Sequence, residues 1–100
     1  MEFKYEPELL DYMQKHNKRT IVVEFVEINN SDFEISELHV HFVDARMREH
    51  FLTKKHYRLY TTDHGEVLLP RFPLTLEQTV SFGLKSLLFF KRITYTGIKV

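Results

Sequence analysis

The run Val80–Val100, VSFGLKSLLFFKRITYTGIKV, limits what this chain can fold into more than any other stretch. Leu84, Leu87 and Leu88 fall at i, i+3 and i+4, one face of a helix, and Phe89 and Phe90 widen that face. Ile93 and Tyr95 then alternate with Thr94 and Thr96, the period of a half-buried strand. A helix this short is not stable alone in water, so its helicity has to come from burying the apolar stripe against a sheet. The stretch therefore predicts the end of a strand, a short helix and a last strand, packed as a core. It carries no chemistry.

The rest of the chain predicts more strand than helix. Phe3–Tyr5 reads as a short edge strand. Pro7, flanked by Glu6 and Glu8, suits a helix start, and Leu9, Leu10 and Met13 give it an apolar stripe. Asp11 stands four residues before Lys15, and Asn17 can take the left-handed conformation that ends a helix. Thr20–Ile28, TIVVEFVEI, is β-branched and apolar on both faces except at Glu24 and Glu27, as in a central strand. Asn29-Asn30-Ser31-Asp32 is a run of turn formers.

Glu37–Asp44 alternates, with Leu38, Val40 and Phe42 on one face and His39 and His41 on the other. Ala45–Lys55 supports either one helical turn, with Met47 and Phe51 four apart, or irregular chain. Tyr57–Thr62 and Glu66–Leu69 flank Asp63-His64-Gly65, a hairpin loop with Asp opening it and Gly65 at positive φ. Pro70 and Pro73 bracket a break, and Leu74–Phe82 returns to alternation with Gln78 among the apolar positions. The expected fold is α+β over a single domain, residues 1–100. It is mostly antiparallel or mixed β and sandwich-like, with an N-terminal helix and a short helix before the C-terminal strand.

Composition removes several function classes. The chain has no cysteine, so disulfides, thiolate metal sites and Cys nucleophiles are excluded. No run approaches the length of a transmembrane helix and MEFKYEPELL has no apolar signal core, so no membrane partner and a cytoplasmic location are expected. Residues 21–44 carry six acids and no Lys or Arg, whereas residues 45–58 carry five basic residues against Glu49 alone. Mutual neutralisation of the two segments is the favoured reading. The alternative is a nucleic-acid surface built from the basic 46–58 segment, with His50, His56, Phe51, Tyr57 and Tyr60. A domain of zero net charge argues against it.

The order of elements resembles the small HesB-like domain of the A-type iron–sulfur carriers, closest to a short branch with a paired-cysteine motif. The residues that carry the resemblance are Lys18-Arg19-Thr20 closing the first helix, TIVVEFVEI, the Asp63-His64-Gly65 hairpin, and the ending SLLFFKRITYTGIKV. It spans most of the chain. Where those relatives place adjacent cysteines, this chain has Asn29-Asn30-Ser31-Asp32. Where the longer carriers place a Cys-x-Cys pair, it ends Gly97-Ile98-Lys99-Val100. The resemblance thus implies a fold and a member that has lost cluster carriage, because the thiolates that hold a cluster are missing.

His39-Val40-His41 is the one pattern with metal-ligand geometry, since residues two apart on a strand point the same way and both imidazoles can reach one iron or zinc ion. Asp44, His50, His56 or Glu37 would have to supply a third ligand, and spacing selects none of them. Asp63-His64 lacks a partner nucleophile, and Gln78 and Glu24 read as structural. No catalytic or cofactor-binding residue is singled out. The expected function is that of a non-enzymatic cytosolic protein acting through protein contacts, self-association included; the alternative is metal binding through His39 and His41.

Overall fold

The computed structural model describes residues 1–29, 34–71 and 74–100. Its elements, in chain order, are β1 (Glu2–Tyr5), α1 (Pro7–Lys15), β2 (Thr20–Asn29), β3 (Glu34–Val43), α2 (Ala45–Thr53), β4 (Arg58–Thr61), β5 (Glu66–Leu69), β6 (Thr75–Leu87) and β7 (Phe90–Lys99). They form a three-stranded sheet, β1-β6-β7, and a four-stranded sheet, β3-β2-β5-β4. Each sheet is mixed: β1 runs parallel to β6 and β2 parallel to β5, while the other neighbours are antiparallel. This is the expected α+β fold with its N-terminal helix. The turn run around Asn30 and the break at Phe72-Pro73 lie outside the described residues.

Both sheets turn apolar faces to one core. Ile21, Val23, Val67 and Leu69 come from the four-stranded sheet, and Val80, Phe82, Ile93 and Ile98 from the other. Leu38, Val40 and Phe42 join this cluster, so the alternation read in β3 holds. Leu9 and Met13 of α1 close one side of it. Pro7 occupies the first turn of α1, and Lys15 pairs with Asp11 at 3.1 Å. Asn17 ends the helix at φ 52°, and the Lys18 N–H returns to the Met13 carbonyl at 2.8 Å.

The ambiguous segment after β3 folds as α2. Asp44 caps it by accepting from the Met47 N–H at 2.8 Å, and Phe51 drives it onto the outer face of the four-stranded sheet. There Phe51 and Tyr57 cover Val22 and Leu68, with ring centroids 4.9 Å apart. Met47, four residues before Phe51, is instead exposed. Because α2 covers one face and the core the other, β2 is buried on both sides at Val22 and Val23, as its composition requires.

Three expectations need correction. There is no helix before the last strand. β6 continues to Leu87, β7 begins at Phe90, and Leu88-Phe89 forms the turn of a hairpin in which Leu84 faces Ile93. The strand period of Val80, Phe82 and Leu84 wins because cross-strand pairing buries Leu84 and Ile93 together, and Gly83 weakens any helix through this stretch.

Gln78 is exposed rather than inward, since the β6–β7 register shifts between Leu76 and Ser81. That irregularity sits opposite Gly97, at φ 87°, whose missing Cβ lets the Thr79 carbonyl close in. Gly65 does not adopt positive φ; it is required because a Cβ would collide with the Arg19 carbonyl. Thr62, not Asp63, organises that loop, its hydroxyl accepting from Gly65 N–H at 3.1 Å and its N–H donating to the Gly65 carbonyl at 2.8 Å.

Candidate contact site

Strand β1 covers β6 only from Thr79 to Phe82. Beyond Phe82, among the described residues β6 pairs with β7 alone, and the two strands run on as a hairpin arm flanked on one side by β3 and α1. At its tip Leu88 is 97% exposed, Phe89 100% and Phe90 63%. Leu88 also holds φ 49°, a left-handed conformation that costs a branched side chain about 1–2 kcal/mol and that glycine adopts freely. Three large apolar side chains in solvent, one of them on a strained backbone, are features that folding does not reward.

The arm is also basic. From Gln78 to Val100 the chain carries Lys85, Lys91, Arg92 and Lys99 and no Asp or Glu, although the whole protein is neutral. Where β7 passes the edge strand β3, a groove of about 230 Å³ opens, with Tyr12, Val40, Phe42, Leu84, Phe90 and Ile93 as its apolar lining. His41, Lys91 and Arg92 supply its polar rim. Tyr12 stacks on Phe42 at 5.9 Å, and Lys91 Nζ lies 5.3 Å from the Tyr12 ring centroid.

A larger cleft, about 820 Å³, lies between the Asn17–Thr20 segment, the end of β3 and the start of α2. Its floor is the buried carboxylate of Glu66. Arg48 donates to it twice, Nε to Oε1 at 2.8 Å and Nη2 to Oε2 at 2.9 Å, and the Thr20 hydroxyl donates to Oε1 at 2.9 Å. The Arg48 hydrogen bonds, with that of Thr20, hold the Glu66 carboxyl below the usual carboxylate range against the opposing effect of burial. A carboxylate so held is a weak base, and the Thr20 hydrogen is committed to it. The network ties α2 to β2 and β5.

His39 and His41 do share the outer face of β3, but each imidazole meets a different carboxylate. His39 Nε2 is 2.9 Å from Glu37 Oε2, and His41 Nε2 is 3.1 Å from Glu24 Oε1. Among the described residues no group of three or more His, Asp or Glu side chains is arranged to hold a metal ion. Asp44 caps α2, His50 stands beside Phe51, and His56 lies in the turn before Tyr57 at φ 57°. The basic 46–58 segment is partly neutralised: Arg48 pairs with Glu66, and Lys55 lies 4.0 Å from Glu24. Burial raises the Tyr57 phenol above its ordinary range, and its oxygen accepts from the Phe25 N–H at 3.1 Å.

Fold and surface thus define an α+β domain whose most unusual feature is a basic, apolar-tipped hairpin arm. No family model, curated protein or solved structure matches the chain, and the HesB-like resemblance rests on the residues quoted for it. Sequence reasoning took Leu88, Phe89 and Phe90 as core. The signal that could have exposed the error is the β-period running on from Val80 through Leu84, mirrored by Ile93 and Tyr95. The Arg48–Glu66–Thr20 network has no local signal, because its members are 18 and 46 residues apart.

Proposed function

We propose that this chain is a non-enzymatic, cytoplasmic protein that works by contact, presenting the β6–β7 arm to a protein partner. One observation carries the reading: Leu88 and Phe89 stand side by side almost wholly in solvent at the tip of that arm, beyond the residues of β6 that pair with β1. Exposed apolar clusters of this kind mark interaction sites, because leaving them in water costs stability that only a partner recovers. The absence of cysteine and the structural role of the Arg48–Glu66–Thr20 network are compatible with a role outside catalysis. No helix among the described residues is long and apolar enough to cross a membrane.

The test is site-specific photocrosslinking in the cell of origin. A photoreactive residue at position 89 is expected to give discrete protein adducts, and one at position 94, on the exposed face of β7, is not. Equal adduct patterns at the two positions, or none at position 89, would overturn the reading.

A further inference from the structure

We propose that the groove between β3 and β7 seats an extended protein segment in which an apolar side chain is flanked by carboxylates. The inference rests on the reading of the β6–β7 arm as the contact surface and names what that surface takes. Size comes first. At about 230 Å³ the groove falls below the roughly 300–1,000 Å³ of small-molecule pockets, and its lining of Tyr12, Val40, Phe42, Leu84, Phe90 and Ile93 suits one anchoring side chain. Shape comes second. The groove is walled by β3 and β7, each the last strand of its sheet, so their outer backbone groups are unpaired by any further strand among the described residues. A chain laid along either edge would gain main-chain hydrogen bonds while alternate side chains enter the groove.

Charge decides the partner's chemistry. Lys91 and Arg92 lie on the rim, no acid among the described residues lines the groove, and the arm has no acid from Gln78 onward; His41 borders the groove with its imidazole already on Glu24. A second copy docked two-fold through this same groove would bring the same basic groups face to face, which like-charge repulsion disfavours. A bilayer surface needs no concave seat, and it would favour basic groups ringing the tip. Here Lys91 instead folds back over Tyr12 at the groove. Carboxylates on an extended segment complement what is present, and Phe90, shared by tip and groove, joins the two surfaces.

The experiment selects binders to the immobilised full chain from a random linear peptide library displayed on phage. Enriched peptides are then titrated by fluorescence anisotropy against the wild type, Phe90→Ala and the double variant Lys91→Glu/Arg92→Glu. Vesicles of phosphatidylserine and phosphatidylcholine are assayed alongside. The expected result is enrichment of peptides with an aromatic or aliphatic residue between acids. Their affinity should fall roughly tenfold or more in either variant, and it should weaken with added salt. Neutral or basic consensus peptides, no enrichment, or binding untouched by Lys91→Glu/Arg92→Glu would overturn the proposal. Vesicle binding without peptide enrichment would also overturn it and assign the arm to a lipid surface. Adducts from position 89 persisting through such a failure would leave the contact reading standing, whereas their absence removes both.

Discussion

The Arg48–Glu66 pair gives the most quantitative test of the fold, through Arg48→Met. Glu66 is only 8% exposed and receives two hydrogen bonds from Arg48 and one from Thr20. Methionine keeps the length of the side chain and removes its charge, leaving a buried carboxylate with the Thr20 bond alone. Breaking one side of a fully buried pair costs about 3–5 kcal/mol. The Arg48 side chain is 30% exposed, so water replaces part of the loss, and about 2–3 kcal/mol is the expected cost at pH 7. That corresponds to a fall in Tm of roughly 8–24 °C for a domain this size.

The pH dependence follows from the Glu66 shift. Its carboxyl is lowered in the folded state, first by the Arg48 hydrogen bonds. Its contribution is therefore present above the ordinary glutamate value of about 4.3 and is lost as pH falls through the depressed folded value. Arg48 is shifted upward by the same hydrogen bonds, and its own loss would come only in strong alkali, outside the assay. Urea unfolding of wild type and Arg48→Met at pH 7 and near pH 3 should give a gap that is large at neutrality and narrows in acid. A gap under about 0.5 kcal/mol at pH 7, or one equal at both pH values, would refute the assignment of the network as a stabilising clamp.

Other substitutions test separate parts of the account. Gly97→Ala puts a Cβ at φ 87° against the Thr79 carbonyl and should cost about 2 kcal/mol or more in urea unfolding; a loss under 0.5 kcal/mol would contradict the packing there. Leu88→Gly relieves the left-handed strain and should leave stability unchanged or raised by up to about 1 kcal/mol while weakening partner adducts, whereas clear destabilisation would place Leu88 in the core. His39→Ala/His41→Ala, with elemental analysis of untagged wild type, should give metal-free protein and a Tm indifferent to chelator. Near-stoichiometric zinc or iron that is lost in the double variant would instead establish the metal alternative.

Local signals carried most of the architecture. Pro7, the Leu9/Met13 stripe and Asn17 mark out α1 from residues adjacent in sequence, and the apolar density of β2 announces burial on both faces. Where a non-local contact decides, local reading fails. Leu84, Leu87 and Leu88 satisfy a helical spacing, yet Leu84 is claimed by Ile93 across the hairpin. Gln78 is turned outward by an irregularity whose glycine, Gly97, sits on the opposite strand. Gly65 lies in the expected loop but for another reason, the close approach of the Arg19 carbonyl. The candidate site was least legible of all, since hydrophobicity alone does not distinguish a side chain that is buried from one that is displayed. Phe82 and Phe89 look alike in sequence; one is wholly buried and the other wholly exposed.

The tip is therefore where the account is most directly tested, and the absence of cysteine makes the measurement clean. Phe89→Cys introduces a single thiol whose reaction with a disulfide reagent can be timed in native buffer and in denaturant. If Phe89 stands free at the turn, the native thiol should react at nearly the rate seen in the unfolded chain. A native rate slowed tenfold or more, roughly 1.4 kcal/mol of protection, would mean that position 89 is packed and would contradict the exposed contact arm.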